Sequence, residues 1–221
     1  MSLIDLFFPQ TCVFCGETLV RGEKTMCLNC HKFFRYIKFC YFDYNTQFGI
    51  KQVPSEIIRR NIDIFLDHSH CKKALHSFKY GGNLFFGKQL GLLWAEHLKG
   101  VEWIEDIDFI MPISLHQKKL YKRGYNQSEV LGEVLSKKLQ IPILTNVVKR
   151  KVNNPPQIYA ENRWENVRDI FELKRNPGLE NKHVLIIDDV ITTSATTNYF
   201  VKTLRQIPNL KLSFAYLSSN C

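Results

Sequence analysis

The stretch that most constrains this chain is Val184-Leu-Ile-Ile-Asp-Asp-Val-Ile-Thr-Thr-Ser-Ala-Thr-Thr197. The continuous apolar run from Val184 to Ile187 reads as a parallel strand buried on both faces, since a strand with one wet face would alternate. The segment from Thr196 to Leu204 has helical apolar spacing. The turn between them therefore joins the carboxyl end of a strand to the amino end of a helix. Open α/β sheets bind ligands at that edge, because unpaired N–H groups and the positive end of the helix dipole face an anion there. Within Thr192-Thr193-Ser194-Ala195-Thr196 the hydroxyls add further donors. Asp188 and Asp189 can accept hydrogen bonds from sugar hydroxyls or hold a divalent cation through oxygen. The same residue types are common helix caps, so an ordinary strand, cap and helix would draw on a similar alphabet.

The order Asp-Asp-Val-x-Thr-Thr-x-Ala-Thr after an apolar strand resembles the phosphoribosyl pyrophosphate (PRPP) signature of type I phosphoribosyltransferases. Ser194 stands where that family usually has Gly. A β-carbon there opposes close approach of the backbone to a phosphate.

At 221 residues the chain has room for one α/β domain and a small appendage. No apolar run approaches the ~20 residues of a membrane span. The start, Met1 to Pro9, lacks a basic n-region and carries Asp5 inside its short apolar stretch, which makes a poor signal peptide and predicts a cytoplasmic protein. The formal net charge of +9 favours a polyanionic ligand, either a polyphosphate or a nucleic acid, without choosing between them.

Cys12-x-x-Cys15 and Cys27-x-x-Cys30 have the spacing of a structural four-cysteine zinc site. Each pair makes a tight knuckle, and four thiolates close a tetrahedral sphere that leaves no open position for catalysis. The metal would replace a core that so short a segment cannot build. Disulfides are the competing reading, disfavoured because nothing in the sequence points to an oxidising compartment. The aromatic stretch Phe33 to Tyr44, with interleaved basic residues, suits packing against a neighbouring domain or stacking on single-stranded bases. Cys40, Cys71 and Cys221 have no nearby partner in sequence.

Residues 1–46 are thus expected to form the zinc module and residues 47–221 the larger domain, with the polar text from Gln47 to Asn61 as linker or domain edge. Cys71 to Tyr80 and Leu84 to Lys99 read as helices around the Gly81-Gly82 break. In the second, Leu90, Leu93, Trp94, His97 and Leu98 share one face. Ile107 to Met111 reads as a short strand ending at Pro112, followed by a basic loop from Ile113 to Asn126. That loop leads into a helix with Asn126 as N-cap, Glu129 three residues on, and a buried face of Val130, Leu131, Val134, Leu135 and Leu139. Lys118, Lys119, Lys122 and Arg123 would then lie at a second strand's carboxyl edge. In a shared sheet they face the same cleft as Asp188 and Thr192.

Lys79-Tyr80, Pro112 to His116, Arg123-Gly-Tyr-Asn-Gln127, Gln157, Arg163-x-x-Asn166-Val167, Phe171 and the Asp188 to Thr196 loop occur in an order that resembles the competence protein F (ComF) family. The cysteine module precedes them as it does there. The resemblance covers nearly the whole chain. Ile113-Ser114 replace the usual Val-Pro, and a second cysteine pair near Cys40 is missing, which points to one zinc.

The resemblance implies a type I phosphoribosyltransferase-like fold, a mostly parallel sheet flanked by helices with a hood above the strand ends. It also implies that Thr192 to Thr196, with Ala195 and Ser194 among them, hold the 5-phosphate, and that Asp188 and Asp189 hold the ribose hydroxyls. Magnesium would bridge ribose and diphosphate. Ser114, within Pro112 to His116, would help hold diphosphate, and Lys122 or Arg123 would neutralise it as it leaves. Catalysis of phosphoribosyl transfer, if it occurs, would be positioning and electrostatic stabilisation by Asp188, Asp189 and Arg123. The implied partners are PRPP, single-stranded DNA and a competence DNA helicase. Three functions follow as alternatives: a competence factor, a metabolic phosphoribosyltransferase acting on a base or amine, and a PRPP-binding regulator without turnover.

Overall fold

The computed structural model describes residues 9–12, 14–23, 26–35, 39–40, 58–64, 75–152, 170–174, 178–191 and 195–219. Its centre is a five-stranded sheet built from β1 (Phe39–Cys40), β2 (Ile58–Ile64), β3 (Phe109–Pro112), β6 (His183–Ile191) and β7 (Lys211–Ser219), in the order β1-β2-β7-β6-β3. All neighbours are parallel except the antiparallel β1–β2 pair. Strand β6 lies between β7 and β3, and Val184, Leu185, Ile186 and Ile187 are all fully buried. Alternation along the strand sends Leu185 and Ile187 into one apolar core and Val184 and Ile186 into the other. A continuous apolar run is what a strand covered on both faces requires.

The sheet is thus mostly parallel and mixed with helices, as the sequence predicts. On one face lie α3 (Leu84–Leu98) and α5 (Gln127–Leu139), burying Leu90, Trp94, Leu98, Leu131 and Leu135. On the other lies α6 (Ala195–Leu204), burying Tyr199, Phe200, Val201 and Leu204. Within α3, His97 is half-buried and its Nδ1 lies 2.7 Å from the Leu93 carbonyl oxygen, so it serves the helix edge. The antiparallel pair β4 (Val148–Arg150) and β5 (Phe171–Leu173) forms a separate two-stranded sheet.

Two expectations need correction. Ile113 to Asn126 is not one long loop: Gln117–Arg123 form helix α4. His116 caps its start, accepting from the Lys118 N–H at Nδ1, and Gly124 ends it with φ 78°. The polar text before Asn61 is also not all linker, since β2 begins at Ile58 and runs parallel to β7. Residues 47–57 lie outside the described residues, as do Cys71, Cys221, Gln157, Arg163, Asn166 and Val167.

The amino-terminal cysteines sit on the same core as the larger domain. Cys12, Phe14, Leu19 and Cys27 are buried together with Leu75, Phe78, Phe86 and Leu90. Leu75 and Phe78 belong to a helix whose described part is 75–80, here α2. Phe14 meets Phe86 edge to face with centroids 4.8 Å apart. The fourth cysteine, Cys30, lies in helix α1 (Leu28–Arg35), which is anchored by Glu23, whose carboxylate accepts from the Leu28 N–H at 2.6 Å and the Val20 N–H at 2.8 Å. Among the described residues, no helix is long and apolar enough to cross a membrane.

Candidate functional site at the carboxyl edge of the sheet

Asp188 and Asp189 follow the buried half of β6, opposite the end of β3, where Pro112 pairs with Ile187. Helix α5 is fastened to that edge through its cap. The Asn126 side chain accepts from the Ser128 N–H and donates Nδ2–H to the Ile113 carbonyl at 3.1 Å, tying helix start to strand end. Four residues past Ser128, Gly132 lets α5 lie close on β6. A β-carbon there would meet Ile187 Cδ1 at 3.0 Å and Ile143 Cδ1 at 2.9 Å. The result is that Ser128 Oγ donates to Asp188 Oδ1 at 2.6 Å, and the same oxygen accepts from the Asp189 N–H at 2.9 Å.

Asp189 is buried and pairs with Lys79 of α2, Oδ2 to Nζ 3.0 Å. Burial first, then the charge of Asp189, push the Asp188 carboxyl up to about 7, against the opposing effects of Ser128, the Asp189 N–H and Lys79. Two carboxylates at one strand end therefore lack enough positive charge to both ionise comfortably. That is the chemistry of a site fitted to a cation or to hydroxyl donors.

Further basic residues lie on the neighbouring elements α4 and β4. Arg123, at the end of α4, donates to Gln127 Oε1 at 2.7 Å and to the Tyr80 hydroxyl at 3.2 Å, with its guanidinium 4.9 Å from the Tyr80 ring centre. That contact lowers the Tyr80 pKa. Arg150 of β4 is buried; its Nε donates to the Val152 carbonyl at 3.1 Å and its guanidinium lies over Phe171. Burial lowers the Arg150 pKa, and the charge of Asp188 opposes that shift. Burial, then Arg150 and Arg123, lower the Lys119 pKa.

Of the residues named from sequence, Asp188 and Asp189 stand together at the end of β6, and Arg123 bonds Gln127, the neighbour of Ser128. Ser114 is half-buried, its hydroxyl sealed from water without a protein partner, and it lines a cavity of about 190 Å³ shared with Asn126, Glu129 and Arg150. Lys122 stays exposed, its ammonium 6.0 Å from the Tyr80 ring centre. Ala195 opens helix α6 and Thr196 is half-buried beside it. Thr192, Thr193 and Ser194 lie outside the described residues.

Ser128, Lys79 and Arg150 were not singled out as ligands by sequence. Lys79-Tyr80 did carry a signal through its place in the family order. Ser128 is hidden inside a capping pattern, and Arg150 stands in an unremarkable basic run.

The Sγ atoms of Cys12, Cys15, Cys27 and Cys30 all lie within 4.8 Å of one another. Cys15 and Cys27 are 3.7 Å apart, close to the ~3.8 Å edge of a tetrahedral zinc–thiolate site and far beyond the ~2.05 Å of a disulfide. The first knuckle closes with the Gly16 N–H donating to the Cys12 carbonyl at 2.9 Å, Gly16 having φ 81°. Backbone N–H groups turn toward sulfur, Cys27 N–H to Cys12 Sγ at 3.3 Å and Cys30 N–H to Cys27 Sγ at 3.4 Å. Burial raises the Cys12 thiol, but N–H donors outweigh it and bring it down to about 7. Burial and the neighbouring thiols push Cys30 upward. A divalent soft-ligand ion relieves that competition, so the donor set fits zinc.

No family model matches the chain. Competence protein F of Haemophilus influenzae is 26% identical over 215 residues, covering 91% of this chain and 93% of that one. The DNA utilization protein YhgH of Escherichia coli is 30% identical over 110 residues, 49% of this chain and 48% of its own. Among solved structures, adenine phosphoribosyltransferase from Leishmania tarentolae gives a TM-score of 0.43 at 10% identity, over 72% of this chain and 91% of that one. The similarity to competence protein F thus runs along nine-tenths of both sequences.

Proposed function

We propose that this protein is a competence factor that binds PRPP with magnesium at the carboxyl edge of its sheet and handles single-stranded DNA during uptake. The observation that supports the reading is the adjacent Asp188 and Asp189 at one strand end, with Lys79 paired to Asp189 and Arg123 held on the neighbouring Tyr80 and Gln127. Carboxylates match ribose hydroxyls and the cations match a diphosphate. Residues 192–196, up to the start of α6, take the 5-phosphate, and Ser114 serves the diphosphate. Magnesium, bound by Asp188 and Asp189 together with diphosphate oxygens, would supply charge neutralisation. The names of the homologues, a competence protein and a DNA utilization protein, support the DNA-handling half.

Any phosphoribosyl transfer here needs no covalent nucleophile. Arg123, held between Gln127 and Tyr80, is positioned to stabilise a departing diphosphate. The four cysteines hold one structural zinc away from this edge.

Thermal unfolding with magnesium and PRPP tests the reading. PRPP stabilises the wild type, and Asp188→Asn with Asp189→Asn keeps the fold and loses that stabilisation. Equal stabilisation of wild type and double variant sinks the assignment. Steady diphosphate release with a single acceptor would favour the metabolic enzyme instead.

A further inference from the structure

Helix α4 reads Gln-Lys-Lys-Leu-Tyr-Lys-Arg and carries no acid. Its Tyr121 is 94% exposed, and Tyr80, at the end of α2, is 52% exposed. The Tyr80 ring has the Lys122 ammonium 6.0 Å and the Arg123 guanidinium 4.9 Å from its centre. Past the Gly81-Gly82 turn, Phe85 is again half in solvent, at 51%. Exposed flat rings among cations suit an occupant that brings both π-faces and negative charge. The cores of protein–protein interfaces are depleted in lysine. A single-stranded nucleic acid matches rings and cations together, since every base offers a π-face and every link a phosphate.

We infer that Tyr80, Tyr121, Lys118 and Lys122 form a stacking platform for single-stranded nucleic acid that is continuous with the carboxylate site and shares Arg123 with it. The continuity is covalent and electrostatic: Tyr80 follows Lys79, the partner of Asp189, and Arg123 binds Tyr80 on one side and Gln127 on the other. The second half of this inference rests on the PRPP reading above. Two polyanions drawing on one set of cations oppose each other. PRPP with magnesium therefore weakens binding of the strand, and the strand weakens PRPP by the same factor.

The test is fluorescence anisotropy of a labelled oligo-dT strand with the full chain over a range of salt. Tyr121→Ala should weaken binding about tenfold. Lys118→Ala should reduce the salt slope by about 0.7. Both variants should retain stabilisation by PRPP with magnesium, and that ligand should weaken oligo-dT binding to the wild type severalfold. Unchanged oligo-dT affinity in both variants would move the strand elsewhere and hand the ridge to a protein partner, overturning the platform. Absence of binding by the wild type does the same. Oligo-dT affinity that PRPP leaves unchanged or tightens overturns the sharing of Arg123. If PRPP fails to stabilise the wild type, the sugar-phosphate reading falls and the sharing with it, while Tyr121→Ala and Lys118→Ala still decide the platform.

Discussion

Lys79 and Asp189 meet at 3.0 Å across the gap between α2 and the end of β6, with side chains 23% and 13% exposed. The pair joins the helix packed under the cysteine loop to the strand that carries the candidate site. It also gives the protein an internal counter-ion for a carboxylate pair that burial penalises.

Removing that counter-ion strands a buried carboxylate. Lys79→Met is expected to cost about 1–2 kcal/mol at neutral pH, because the pair is only partly buried and water relaxes part of the penalty. Combining it with Asp189→Asn should restore most of the loss, since neither charge is then left alone. Urea midpoints of the two single variants and the double variant measure this. Purely additive losses would show that the two residues do not interact.

The pH dependence of stability should report Asp188. Burial and the charge of Asp189 raise its pKa to about 7 from an ordinary 3.8. The folded chain holds a proton there that the unfolded chain releases between about pH 4 and 7. The stability tied to this carboxyl is therefore full below that window and declines as pH rises through it. Asp188→Asn removes the effect. Its stability relative to wild type should climb across the window, by up to about 4 kcal/mol. A pH-independent difference between the two melting curves would contradict the assignment.

Zinc should be present at one ion per chain in protein purified without chelator. Its removal should be felt beyond the cysteine loop, because Phe14 covers Phe86 within the shared core. Cys27→Ser is expected to release the metal and lower the urea midpoint by the equivalent of about 1–3 kcal/mol, with the helical circular dichroism of the larger domain largely kept. An unchanged midpoint after demonstrated metal loss would show that the loop packs without it.

Gly87 lets α3 pass directly over the Phe78 ring, which a β-carbon at position 87 would overlap. Phe78 is fully buried and has no room to retreat. Gly87→Ala should therefore destabilise the fold by about 1–2 kcal/mol even after the gain in helix propensity. Because Phe78 adjoins Lys79, the variant should also blunt stabilisation by PRPP. A more stable Gly87→Ala protein would mean that α2 shifts freely.

Much of this was determined by sequence alone, wherever a property is carried by consecutive residues. The apolar run Val184–Ile187 already specified a strand covered on both faces, its abrupt end at Asp188-Asp189 specified a polar edge, and the doubled Cys-x-x-Cys spacing specified a four-thiol cluster. Each rests on local periodicity or chelate geometry, which the chain cannot alter by folding elsewhere. The partners of the carboxylates were decided only in three dimensions. Ser128 lies sixty residues from Asp188, and Lys79 comes from a helix under the cysteine loop. Arg150 comes from the small β4–β5 sheet. Their roles depend on which helix packs against which strand end, and on Gly132 allowing α5 close enough for a 2.6 Å hydrogen bond. Burial of Asp188, and so its proton affinity, has the same origin: it is a property of the packed edge, with no counterpart in the order of residues.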